Sequence, residues 1–62
     1  MPYITVNMLE GRTHEQKKAF AQEVTNAAVK NLGVAPQIVT VVFNEVKAIN
    51  LAQAGVLKSD QK

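Results

Sequence analysis

A chain of 62 residues makes one domain, 1–62, with a thin core; at that size only ~60% of the unfolded surface is buried, and oligomerisation is a standard remedy. Cysteine is absent, which excludes disulfides and thiolate metal sites, while a hydrophobic share of 47% argues against disorder. The net charge is +2, but beyond the adjacent Lys17 and Lys18 the lysines at 30, 47, 58 and 62 are scattered without interleaved aromatics. That is the pattern of solvated lysines, not of a nucleic-acid-binding face.

The chain opens on Met1-Pro2. A small second residue permits removal of the initiator methionine, and Pro2 would then present a secondary amine fixed in a ring. An α-amino group titrates at roughly 7.7–8.0 when unperturbed, far closer to neutrality than a lysine. Tyr3 to Leu9 alternates with the period of a strand. Ile4, Val6 and Met8 form an apolar face suited to a helix; Tyr3, Thr5, Asn7 and Leu9 form a mixed face suited to a subunit contact or a ligand. Glu10-Gly11-Arg12 breaks the pattern, because glycine packs poorly within a strand.

Thr13-His14-Glu15-Gln16 fits a capping box, with the threonine hydroxyl accepting from the Gln16 amide and the glutamine reaching back. Phe20, Val24, Ala27, Ala28 and Leu32 recur at helical spacing, and Gly33 ends the helix as a residue free to take positive φ. The helix is thus about 19 residues, roughly 28 Å long. Val34-Ala35-Pro36-Gln37 connects it to a second strand, Ile38 to Asn44, rich in β-branched residues. Val39, Val41 and Phe43 line one face of that strand; Ile38, Thr40, Val42 and Asn44 line the other.

Strand, crossover helix and parallel strand make a right-handed βαβ unit of α+β class. One helix leaves the second sheet face bare, so pairing between subunits is expected. In the stretch after Glu45, Ala54-Gly55-Val56 signals a short hairpin, or a strand laid against another subunit. No segment is long and apolar enough to span a bilayer and no signal-peptide core follows Met1, so no membrane association and a cytoplasmic location are expected.

The residues that could carry chemistry are few. Pro2 taken alone reads first as a proline starting a strand, where proline is tolerated. Arg12, the single arginine, sits near a helix N-terminus whose dipole it does not complement; it fits an anion site made of guanidinium and helix amides, and can hold a carboxylate bidentately. His14, the lone histidine, reads as a solvent-facing residue of the first helical turn and cannot make a metal site by itself. Glu10 and Glu45 have nothing in the sequence to bring them together, and Glu45 reads as structural. With no cysteine nucleophile, serine–histidine motif or glycine-rich phosphate loop, proton transfer or amine chemistry remains.

Pro2, the strand Tyr3 to Leu9, Glu10-Gly11-Arg12-Thr13 and Glu15-Gln16-Lys17 resemble the 4-oxalocrotonate tautomerase family. Val42-Phe43-Asn44-Glu45-Val46 and the run Ala52 to Asp60 resemble it too, so the likeness spans nearly the whole chain without an evident gap. The resemblance implies a tautomerase-like β-α-β unit, paired across subunits into a homohexamer, commonly a trimer of dimers. It implies a cofactor-independent isomerase without metal, moving a proton between enol oxygen and carbon of an unsaturated or aryl 2-oxo acid such as 2-hydroxymuconate. Pro2 would be the catalytic base, its amine pKa lowered by Arg12 and by partial burial, and Arg12 would bind the substrate carboxylate and stabilise developing negative charge. Two positions depart from the archetype: Thr40 stands where it has a second arginine, and Leu51 where it has an aromatic residue. As substrate-binding residues these supply a hydroxyl without charge and an apolar wall without an aromatic edge. Related proline chemistry on an unsaturated or 3-oxo acid (hydration, dehalogenation, decarboxylation) and a non-catalytic oligomeric subunit are the alternative readings.

Overall fold

The computed structural model describes residues 1–61. β1 (Tyr3–Leu9) and β2 (Thr40–Val46) pair in parallel, in register from Tyr3 opposite Thr40 to Leu9 opposite Val46, and α1 (His14–Leu32) makes the crossover between them. Burial alternates along both strands as the sequence pattern requires. Ile4, Val6 and Met8 with Val41 and Phe43 are half-buried on the helix side, while Tyr3, Thr5, Asn7, Thr40, Val42 and Asn44 are exposed on the other. On that open face the Asn44 side-chain amide donates to Asn7 Oδ1 across the sheet at 3.2 Å.

α1 begins and ends as its sequence dictates. Thr13 Oγ1 accepts from the Gln16 N–H at 3.1 Å, and Gln16 Oε1 accepts from the Thr13 N–H at 2.9 Å, so the box satisfies two helix-start donors reciprocally. At the other end Gly33 takes φ 68° and its N–H donates to the Val29 carbonyl at 3.1 Å. The helix meets the sheet through Phe20 and Phe43, whose ring centroids lie 6.1 Å apart at a tilt of 60°. Lys17 adds a polar tie, its Nζ standing 2.7 Å from Glu45 Oε1 on β2.

The second strand corrects the sequence reading by two residues at each end. Ile38 is not in the strand: Pro36–Ile38 form a 3-10 turn, with the Val39 N–H donating to the Pro36 carbonyl at 3.2 Å. Proline's fixed φ suits the first position of such a turn. At the far end, pairing with the whole of β1 carries β2 through Glu45 to Val46, and the Glu10 N–H then donates to the Val46 carbonyl at 2.9 Å. The β-branched run identifies a strand, while the length of its partner sets where it stops.

The remaining chain forms a 3-10 turn at Ala48–Asn50, an antiparallel hairpin of β3 (Ala52–Gln53) and β4 (Val56–Leu57), and a last 3-10 turn at Lys58–Asp60. The hairpin closes within the chain. Ala54 (φ 55°) and Gly55 (φ 79°) both take positive φ, which the primed two-residue hairpin turn requires.

These elements make a slab, 43 × 23 × 14 Å, with a radius of gyration of 14.7 Å. A compact chain of this length would have about 10.6 Å. The exposed surface is 4943 Å², against roughly 4,000 Å² for a monomer of this mass. Ala28, at 7% exposure, is the one buried hydrophobic residue of the described chain, whereas Tyr3 is 66% and Ile49 61% exposed. The core of this fold is incomplete in a single copy.

Candidate active site

Pro2 lies half-buried directly before β1, and Met1 ahead of it is 72% exposed. The Thr40 N–H donates to the Pro2 carbonyl at 3.0 Å, one rung beyond the Tyr3–Thr40 pair. That bond fixes the backbone of Pro2 against the start of β2. The structure therefore brings two sequence-derived candidates together, Pro2 and Thr40. Thr40 itself is exposed on the open face beside Tyr3.

Arg12 is at the other end. The seven residues of β1 intervene, roughly 23 Å of strand at about 3.3 Å per residue. Arg12 lines a groove of about 270 Å³ between helix and sheet, with Gln16, Lys17 and an apolar floor of Val6, Met8, Phe20 and Phe43. It also borders a second hollow, of about 410 Å³, with Met8, Leu9, Glu10 and Gly11. Neither cavity reaches Pro2, Thr40 or Leu51. Within one chain, Arg12 therefore does not stand beside Pro2.

Arg12 is exposed and, among the described residues, makes no ion pair. Its guanidinium is free to receive an anion. The helix start contributes less than the sequence implied, because the capping box occupies the Gln16 N–H and the Lys17 N–H donates to the Thr13 carbonyl. Among the first-turn amides, those of His14 and Glu15 are left, with the Glu15 carboxylate beside them. The helix start thus offers an anion little beyond the Arg12 guanidinium.

Leu51, 40% exposed, precedes the C-terminal hairpin, and its carbonyl accepts from the Lys58 N–H at 2.7 Å. His14 is exposed and lies 3.2 Å from the neighbouring Glu15 carboxylate. Glu45 is engaged by Lys17 rather than by Glu10, in keeping with a structural role. Among the described residues no group of three or more His, Cys, Asp or Glu is placed to hold a metal ion, and no helix is long and apolar enough to cross a membrane. The groove floor was not singled out as a site in the sequence; its signal, the apolar face of β1 and the spacing of Phe20, reads equally as core.

Similarity to known proteins is extensive. Residues 2–61 match the family model described as tautomerase enzyme. A probable tautomerase of Staphylococcus saprophyticus is 46% identical over 61 residues, spanning 98% of this chain and 100% of that relative. The crystal structure of YwhB, a homologue of 4-oxalocrotonate tautomerase, superposes with a TM-score of 0.93 at 39% identity, covering 98% of this chain and 100% of the other. A heterohexamer 4-oxalocrotonate tautomerase from Chloroflexus aurantiacus superposes with a TM-score of 0.92 at 27% identity, with 100% of both chains covered.

Proposed function

The chain belongs to the tautomerase enzyme family, whose members are isomerases, and on that premise we propose that it interconverts enol and keto forms of an unsaturated or aryl 2-oxo acid, without a cofactor, through the amine of Pro2. Removal of Met1 converts an amide nitrogen with no basicity into a secondary amine. The free amine takes the proton from the enol hydroxyl; electrons flow through the conjugated system, and the ammonium returns a proton to carbon. Atoms and charge balance without any co-reactant. Arg12 holds the substrate carboxylate and offsets the negative charge that develops on oxygen, where a placed cation contributes most.

The observation that supports this reading best is the placement of Pro2. Its carbonyl is pinned by Thr40 at 3.0 Å while the residue ahead of it is exposed, so a trimmed N-terminus would be both rigid and reachable. A base held in one position is what general-base catalysis needs.

The separation of Pro2 from Arg12 adds a requirement: amine and guanidinium meet only when different copies supply them. We therefore place the site between subunits of a homo-oligomer, most plainly a hexamer, since the related Chloroflexus aurantiacus enzyme is a heterohexamer. Thr40 and Leu51 complete the site as a hydroxyl and an apolar wall.

The deciding experiment uses protein whose N-terminus has been verified by mass spectrometry, assayed spectrophotometrically with 2-hydroxymuconate and with enolised phenylpyruvate. Isomerisation with conserved product mass is expected from the form that begins at Pro2. Full activity in a homogeneous sample retaining Met1 would eliminate the amine mechanism. A change in product mass would replace isomerisation by hydration, dehalogenation or decarboxylation.

A further inference from the structure

Among the described residues, one side-chain hydrogen bond differs from the rest. The others join groups within five positions of each other, whereas the Asn44 amide donates to Asn7 Oδ1 between strands at 3.2 Å. Asparagine is depleted in strands, yet here two stand directly opposite one another on the open face. They lie roughly 13 Å of strand beyond Tyr3 and Thr40, away from the Pro2 end.

That face has the composition of a covered surface. Tyr3 opposite Thr40, Thr5 opposite Val42 and Asn7 opposite Asn44 are all uncharged, in a chain where 19% of residues carry charge. Depletion of charge marks the centre of an interface. Tyr3 is 66% and Val42 41% exposed in the single copy. The area agrees: 4943 Å² of surface is roughly 1,000 Å² more than a compact monomer of this mass shows. One partner contributes about 800 Å² to a specific interface.

The hydrogen-bonding groups of the pair indicate the occupant. After the bond between them, Asn7 keeps both amide N–H donors and Asn44 keeps its carbonyl acceptor. Neither makes another side-chain hydrogen bond among the described residues. A purely apolar cover would strand those groups at a cost. A second copy of the same face presents the missing partners, donor to acceptor in both directions, as a self-complementary contact requires. Sheets stacked face to face lie ~10 Å apart, near enough for the side chains of both to interdigitate.

We infer that the open face docks on the open face of a second copy of this chain, with Asn7 and Asn44 as the polar pair that fixes how the two sheets register. A lone polar pair within an apolar contact selects one arrangement at some cost in stability. Aliphatic groups alone, Val42 among them, would leave alternative alignments close in energy. This rests on the homo-oligomer read above and is independent of its chemistry.

Native mass spectrometry and thermal unfolding of the full chain, at fixed protomer concentration, test it. Asn7→Val combined with Asn44→Val is expected to keep or raise the midpoint, since valine favours strands, while the assembly divides into more than one mass. Asn44→Val alone should unfold several degrees below that double variant, because it leaves the Asn7 amide covered and unpaired. Thr5→Arg sets a charge on the same face, which a solvated strand tolerates, and should lower the mass of the assembly. A single species of wild-type mass from the double variant, or single and double variants that unfold alike, rejects the role of the pair. Wild-type mass in Thr5→Arg rejects the face as the contact, whether it stays open or serves another protein. A monomeric wild type overturns the homo-oligomer and this inference together. An assembled wild type without tautomerase activity overturns the Pro2 chemistry and leaves this inference standing.

Discussion

Among the described residues Arg12 pairs with no carboxylate, so its removal is expected to disturb little of the fold beyond the helix entry. Arg12→Ala is expected to lower kcat/KM for carboxylate substrates by roughly tenfold to a hundredfold, the scale of one charge-assisted contact, with thermal unfolding changed little. Unchanged kinetics would make the residue part of the turn alone. At Pro2 the expectation concerns protonation: activity should rise with pH as the amine sheds its proton, because the base form is the one that accepts the enol proton. Pro2→Ala should keep part of the activity through a primary amine, measured on a sample whose N-terminus is checked by mass. A flat pH–rate profile across the α-amine range would count against the amine as base. Both residues were legible in the sequence as types at positions. Their separation was not, since spacing along a chain does not give distance in the fold.

At the scale of elements, local rules decided most of what the sequence revealed. The Thr13–Gln16 box and the positive φ of Gly33 fix the ends of α1 where the sequence put them. Thr13→Ala should cost about 1 kcal/mol, the usual worth of an N-cap, read by urea denaturation at fixed protomer concentration. Gly33→Val should cost about 1–2 kcal/mol, because a branched residue is disfavoured in the left-handed region although open space surrounds this position. If either variant matched wild type, the caps would be ornaments of a helix held by packing alone. β2 was legible as a strand and not in its limits. Ile38 and Val39 have strand propensity, yet Pro36 draws Ile38 into a turn, and pairing with β1 recruits Glu45 and Val46. The first is a local turn and the second a tertiary effect, and each overrides strand propensity. The 3-10 turns flanking the hairpin carry no comparable mark in the sequence.

For the whole molecule, the apolar excess read from composition appears as geometry. The slab exposes roughly 1,000 Å² more than a compact monomer of its mass would, within reach of what one protomer contributes to a specific interface. We expect an obligate oligomer, with sedimentation at micromolar concentration giving a multiple of the 6.8 kDa chain. Its unfolding midpoint should rise with protein concentration, as linkage to association requires. A stable folded monomer under those conditions would contradict the intersubunit site as well. The bare face of the sheet was foreseen from one helix serving two strands, but what covers it is not written in any local pattern.

The placement of Pro2 and Arg12 at opposite ends of β1 also has a genetic meaning. With the intersubunit site proposed above, two alleles, one lacking the proline and one lacking the arginine, would each damage every site in a pure assembly. Mixed in one assembly, they would rebuild some sites from intact halves, so co-expressed or co-refolded mutants should recover activity that neither shows alone. Such complementation between defective copies of one gene is possible only where neighbours share a site. By the same logic, a single defective allele would poison sites belonging to healthy chains.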